Sequence, residues 1–166
     1  MGVVNHDHDE PVGAGRRAYP EDAPMNHNDK ENRLLIAAGR FHGHIGPFLA
    51  LGLRMGLIAN ERLGRDPMDT GAVVRVEPRP PRSCIVDGVQ YSTGCTMGKA
   101  NIRIESDTEG VSVRFSRGAA CLTISLRQEY LDRMERELDG VPEKAIIDYS
   151  FEIMDTPHEE MFEVSQ

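Results

Sequence analysis

Two short stretches hold most of the side chains in this sequence that could do chemistry. His42-Gly43-His44 sets two imidazoles two residues apart, just ahead of Pro47 and an apolar run from Phe48 to Leu63. Imidazoles at a helix N-terminus feel its positive end, which disfavours protonation and leaves nitrogen lone pairs available. A neutral imidazole is what a metal ion or a proton transfer requires. The second stretch, Cys84 to Asn101, contains two of the three cysteines. If Cys84 to Thr93 is helical, Cys84, Asp87 and Tyr91 share one face. Gly94 then ends that helix, and Cys95, Thr96 and Lys99 fall on a glycine-rich turn. Lys99 beside Cys95 would favour a thiolate. Neither stretch alone offers three ligands, so the expectation is that His42, His44, Cys84, Asp87, Cys95 and Lys99 converge.

Such a pocket suits a divalent transition metal with nitrogen and sulfur ligands, zinc first among them. His42, His44, Cys84 and Cys95 are the candidate ligands. Cys95, Asp87 and Lys99 are the candidate catalytic groups: a thiol, a base or hydrogen-bond acceptor, and a cation for a small anionic substrate. Two bland alternatives stay open, solvated histidines in a loop and buried cysteines acting as small hydrophobes. Thiol chemistry at Cys95 without a metal is a third reading.

Two tempting motifs fail on spacing or context. Gly94 to Lys99 resembles a phosphate loop, but three residues separate Gly94 from Gly98 and Ala100 follows the lysine. Gly13 to Ala18 has the letters of a dinucleotide fingerprint without a strand before it or a helical pattern after it.

The elements that must position the two stretches follow from hydrophobic period and chain breakers. A helix is expected from about Asp29 to Arg40, with Leu34, Leu35 and Ala38 inward. Pro47 suits a first helical position, and the helix from 47 to 63 ends at Gly64. Gly52 and Gly56 lie one turn apart in it. Interior glycine costs roughly 1 kcal/mol against alanine, so the pair implies a close packing partner, either another helix or another subunit. Gly71 to Glu77 reads as a strand. Ile102–Glu105, Val111–Ser116 and Ala120–Leu126 read as three more, separated by turns at Glu109-Gly110 and Arg117-Gly118, and predict an antiparallel meander. Alternation in the last of them turns Cys121 away from Leu122 and Ile124. Gln128 to Leu138 is an amphipathic helix. Residues 142–154 fit either period, and the helix start at Pro142-Glu143 favours helix.

The 166 residues suffice for one core, and a net charge of −8 without a basic run argues against nucleic acid. Three cysteines without close pairs argue against a secreted disulfide framework. The polar N-terminus shows no apolar signal core, and the longest apolar stretch, within 47–59, is broken by Arg54 and too short to span a bilayer, so a cytoplasmic protein that does not engage a membrane is expected. Residues 1–28, polar and without period, are expected to form a mobile arm ahead of a single domain at 29–166.

The two stretches together resemble the FmdE family, which takes its name from formylmethanofuran dehydrogenase. Phe41-His42-Gly43-His44-Ile45-Gly46-Pro47, running on to Gly56, resembles its first motif. Cys84 to Gln90 with Thr93-Gly94-Cys95-Thr96-Met97-Gly98-Lys99-Ala100-Asn101 resembles its second, and Thr156 to Val164 its closing segment. The resemblance implies an α+β core with an antiparallel sheet packed against helices, commonly dimeric, and a histidine- and cysteine-lined pocket that often holds a metal. It supports helix at 142–154. It implies an accessory component of a dehydrogenase or an enzyme of one-carbon or redox metabolism. The family's first motif usually reads His-Gly-His-x-Cys-Pro-Gly, whereas Gly46 and Phe48 stand here in place of that cysteine and final glycine. A soft ligand is therefore missing at 46, which raises the alternative of a non-catalytic dimeric binding or assembly module. The zinc module of longer members, built from close cysteine pairs, has no counterpart after Cys121.

Overall fold

The computed structural model describes residues 29–166. The segment expected to be a mobile arm lies outside the described residues. The described chain runs α1 (Asp29–His42), α2 (Pro47–Leu63), β1 (Thr70–Val76), α3 (Ile85–Thr93), β2 (Ile102–Ser106), β3 (Ser112–Arg117), β4 (Ala120–Leu126), α4 (Gln128–Glu137), α5 (Glu143–Asp155), α6 (His158–Met161) and β5 (Phe162–Ser165). Short 3-10 turns at Arg82–Cys84 and Met97–Lys99 flank α3. The fold is α+β, as the periodicity and the resemblance both indicate. The ambiguous 142–154 segment is helical.

The sheet has the order β2-β1-β3-β4-β5. β1 pairs antiparallel with β3, β3 with β4, and β4 with β5, but β1 and β2 are parallel. The expected meander is therefore corrected at one joint. β2 does not turn back onto β3; it lies on the far side of β1, reached through α3. A parallel neighbour needs such a crossover, and α3 with its flanking turns supplies it. β5 was not foreseen, because four residues with two polar positions carry little strand signal.

One face of the sheet is apolar. Its rows, Ala72–Phe115–Leu122 and Val74–Val113–Ile124, run across three strands and are buried. The other face carries Arg75, Arg103, Glu105, Arg114 and Thr123. α2 lies on the apolar side and is buried along most of its circumference, through Leu49, Leu51, Leu53, Met55 and Ala59. A helix apolar on nearly every side belongs inside a core. Each such leucine contributes about 1.5–3 kcal/mol by leaving water. Arg54 is a partly buried charge in it: Nη1 donates to Glu31 at 2.7 Å and Nη2 to the Thr156 carbonyl at 2.9 Å, tying α1 and the end of α5 to α2, while its Nε is buried without a hydrogen-bond partner.

The Gly52/Gly56 face is used within the chain, since the neighbour it meets is α3. A Cβ at Gly52 would run into the Ile85 carbonyl oxygen, and one at Gly88 of α3 into the Leu49 carbonyl oxygen. A Cβ at Gly56 would strike the Ser92 hydroxyl. Reciprocal glycines thus let the two backbones touch. That contact sets the start of α3 against the turn between α1 and α2, where both chemical stretches begin.

Candidate metal centre

Gly43 makes the two histidines converge. Its φ of +97° is a backbone state that L side chains rarely adopt. Its N–H donates to the Gly39 carbonyl at 2.8 Å, closing α1. The chain reverses there, so the rings of His42 and His44 stand with centroids 4.4 Å apart and 40° between planes. His42 is the last residue of α1 and does not lead α2. The expected role of α2's positive end at His42 is thereby corrected. What frees a lone pair on this ring is a hydrogen bond.

That bond runs from His42 Nδ1 to Asp87 Oδ2, at 2.6 Å. A carboxylate only accepts, so Nδ1 carries the proton and Nε2 presents its lone pair. His42 Nε2 is buried and has no hydrogen-bond partner. Leaving a buried polar atom unsatisfied costs about 1–3 kcal/mol. Asp87 is itself held, since Gln90 Nε2 donates to its Oδ1 at 3.0 Å and Gln90 Oε1 accepts from the Met97 N–H at 3.1 Å. The relay therefore runs from the imidazole through Asp87 and Gln90 to the turn after α3. Sequence reasoning passed over Gln90, although its i, i+3 spacing from Asp87 was a usable signal.

Cys84 completes the group. It closes the 3-10 turn that leads into α3 and is partly buried. One donor atom each from His42, His44 and Cys84 lies within 4.8 Å of the others. Around zinc, ligand atoms sit roughly 3.3–3.6 Å apart, given Zn–N near 2.0–2.1 Å and Zn–S near 2.3 Å. To hold zinc the three side chains would have to draw in from separations of up to 4.8 Å. Burial pushes the Cys84 thiol up, and the negative charge of Asp87 adds to it. Without a cation the sulfur keeps its proton. The donor set, two imidazoles and a thiol with one buried nitrogen unsatisfied, fits a borderline-soft metal ion.

Cys95 and Lys99 occupy different surroundings. Cys95 is fully buried, and its Sγ donates to the Thr70 carbonyl at 3.3 Å. Burial pushes this thiol up as well, outweighing the smaller opposite pulls of Thr93 and Lys99. The thiolate expected from Lys99 is thus corrected: desolvation wins over one solvated ammonium. Lys99 is exposed and donates to Thr96 Oγ1 at 2.7 Å. Neither residue belongs to the three-donor group. Cys121 lies on the polar face of the sheet, with an Arg114 guanidinium nitrogen 3.6 Å from its sulfur.

The surface beside the centre is aromatic. Phe41 is 60% exposed, and its ring centroid lies 5.9 Å from that of Tyr91. Gly46 borders His44: a Cβ built there would sit 3.4 Å from His44 Nε2. Its φ of −153° is extended backbone open to any residue. No helix among the described residues is long and apolar enough to cross a membrane.

Comparison with known proteins points the same way as the two motifs. Residues 41–163 match the model of the family described as FmdE, molybdenum formylmethanofuran dehydrogenase operon. A protein of Archaeoglobus fulgidus named probable S-adenosyl-L-methionine-binding protein is 43% identical over 98 residues. That stretch is 55% of this chain and 25% of the archaeal protein, so the chain spans about a quarter of the length of that relative.

Proposed function

The chain belongs to the FmdE family, and from that premise we propose that it is a metal-binding pocket protein using His42, His44 and Cys84 as ligands. The observation that carries this reading is the buried, unpartnered Nε2 of His42, with Nδ1 locked on Asp87. Carboxylate–histidine–metal arrangements use the same division of labour: one nitrogen is oriented by an acid and the other faces the ion. Two nitrogens and one sulfur suit zinc.

Three protein ligands leave a fourth position for an exogenous group. When bound, the ion would supply a Lewis-acidic position for a small donor ligand. The chain's own residues do the rest. Asp87 fixes the His42 ring and stays an acceptor. Gln90 keeps Asp87 from turning away. Cys84 gives up its proton to become a ligand. Gly46 leaves room beside His44, and the Phe41–Tyr91 pair offers an apolar shelf for the body of a bound molecule. This suits a small anionic ligand of one-carbon or redox metabolism, handled in the cytoplasm. The name of the archaeal relative adds S-adenosyl-L-methionine as a specific ligand to try.

The test is metal content after purification without nickel resin, followed by cobalt substitution. The expected result is about one equivalent of metal and a thiolate-to-cobalt absorption that disappears in Cys84→Ser. Titration with S-adenosyl-L-methionine, with and without metal, then examines the open position. Substoichiometric metal together with an unchanged melting temperature on adding zinc would instead support a binding or assembly module without a metal.

A further inference from the structure

The face of the sheet turned away from α2 is open. Val73 on β1 and Thr123 on β4 stay partly exposed there, although both strands are internal to the sheet. The register gathers three arginines around one point on that face. Arg103 of β2 and Arg114 of β3 both stand opposite Val73, one on each neighbouring strand. Neighbouring strands lie about 4.8 Å apart, so roughly 10 Å separates the two arginine backbones across the valine. Arg75 follows two residues along β1, on the same face. With Glu105, Ser112 and Thr123 they enclose a shallow depression of about 170 Å³. That is the room of about five waters at roughly 30 Å³ each.

The chain carries a net charge of −8, yet this depression is lined by three guanidiniums and a single carboxylate. Glu105 divides its oxygens. Oε2 accepts from Arg75 Nε at 3.0 Å, and Oε1 accepts from Arg103 Nη2 at 3.2 Å. These hydrogen bonds, that of Arg75 first, hold its carboxyl below the usual carboxylate range. Arg114 has no carboxylate partner among the described residues; its Nη2 lies 3.6 Å from Cys121 Sγ. One carboxylate cannot neutralise three guanidiniums, so two positive charges remain. The side chains of Arg75 and Arg103 are 62% and 69% exposed, free to swing without disturbing the core.

We propose that this depression binds the phosphate group of a small phosphate monoester, with Arg103 and Arg114 closing on it from either side of Val73 and Arg75 from along the strand. At neutral pH such a group brings about two negative charges and three terminal oxygens, which match the charge left over here and the number of guanidiniums. A carboxylate brings one charge and two coplanar oxygens, which a single guanidinium fork satisfies. Arginine is the side chain that meets phosphate bidentately. Thr123, opposite Arg114 in the register, adds a hydroxyl at the rim. Glu105 is the internal competitor: an incoming phosphate takes over its two arginines as the carboxylate turns outward. Ile104, the exposed apolar residue of the adjoining strand, points to the other face, so this surface offers a peptide no apolar anchor. The depression lies across the sheet from α2, and its occupant is independent of any metal at His42, His44 and Cys84.

The test is isothermal titration of the full chain with glycerol phosphate at low ionic strength, with EDTA present so that no metal-bound phosphate contributes. A dissociation constant below about 1 mM is expected, weakening as salt is added. Amide resonances around Val73 and Arg114 should shift, and those around His42 should not. Arg114→Gln should weaken binding at least about tenfold, since it removes charge-assisted hydrogen bonds. Arg103→Gln, at a residue whose exposure leaves the fold intact, should do the same. Glu105→Gln should tighten binding by about three- to tenfold, because the competing carboxylate and its charge are gone. No binding at about 10 mM would overturn the proposal. So would an affinity unmoved by Arg114→Gln and Arg103→Gln, or one that Glu105→Gln fails to raise. A phosphoserine peptide that binds more tightly than glycerol phosphate would overturn the assignment to a small molecule.

Discussion

Cys84 and Cys95 sit in the same 18-residue stretch, each close to glycine and a polar turn, yet the fold gives them opposite environments. Cys84 enters a helix whose first turn is pressed against the α1–α2 turn, so two imidazoles arrive beside it. Cys95 follows the left-handed cap at Gly94 and drops into the core, where the Thr70 carbonyl takes its S–H. Burial pushes both thiols up. The environments differ in what else is present. Beside Cys84 the buried atom without a partner is an imidazole nitrogen, a good metal donor; beside Cys95 it is the Thr70 hydroxyl, a poor one, and the Cys95 thiol already has the Thr70 carbonyl as its acceptor. A thiol becomes a candidate ligand through the nitrogen donors gathered beside it more than through its own acidity.

The largest expected effect breaks this contrast directly. Cys84→Ser or His42→Ala should lower zinc affinity by at least about a hundredfold, since each removes one of three ligands. Cys95→Ser should leave affinity within a few-fold and instead destabilise the core, because a more polar hydroxyl replaces a buried sulfur. Competition with a chromophoric chelator and thermal melts separate the two. If Cys95→Ser loses metal as badly as Cys84→Ser, the division between the two thiols is wrong.

Asp87→Asn sharpens the same contrast from behind the ligand. The amide can still reach His42 Nδ1, but it carries no charge and does not enforce the tautomer. Loss of such an orienting carboxylate typically costs about 10–100-fold in metal affinity. Gln90→Leu should cost less, because it only frees Asp87 to rotate. A cobalt spectrum that changes in Asp87→Asn and returns in Asp87→Glu would identify an orienting group and exclude mere damage to the fold.

Much of this arrangement was legible in the residues, and the rest was not for definable reasons. Proline and glycine punctuation located α2, and the Gly94 cap located the end of α3, because both act through local backbone geometry. Gly52 and Gly56 announced a close neighbour, but only Gly88 on the other helix reveals which one. Neighbouring strands in the sheet are set by long-range packing, so β2 was assigned to the wrong neighbour. The fate of Cys95 depends on a carbonyl 25 residues away in sequence, and no spacing rule reports that. His42 and Asp87 are 45 residues apart. Their chemistry was readable as residue types, but their hydrogen bond needed the α2–α3 contact.

Gly46→Cys adds to the better-furnished side of the comparison. The backbone there is extended, and the new Cβ would stand 3.4 Å from His44 Nε2, so a sulfur one bond further on can reach the ligand group. Zinc affinity should rise by about tenfold or more as a fourth ligand closes the site. Exogenous ligands of the metal should bind less well for the same reason. Isothermal titration with zinc, then with a small thiol or carboxylate, reads both effects. A gain in metal affinity with undiminished ligand binding would show that the open position lies elsewhere.

The smallest expected effect concerns protons. Folding raises both thiols, so between the ordinary thiol pKa and the higher folded value the unfolded chain loses protons that the folded chain keeps. Stability of the metal-free protein should therefore be undiminished below the ordinary value and fall as pH rises past it. The slope is at most about 1.4 kcal/mol per pH unit for each thiol. Cys84→Ser and Cys95→Ser should each remove part of it. Metal reverses the sign at Cys84 alone, because a ligand thiol must be deprotonated and binding releases its proton. Zinc affinity should rise with pH up to the raised Cys84 value, by about tenfold per unit at most for one released proton. Chemical denaturation across roughly pH 7–10, with and without zinc, would show both trends in one experiment. An alkaline slope that zinc leaves unchanged would mean that Cys84 is as closed to metal as Cys95.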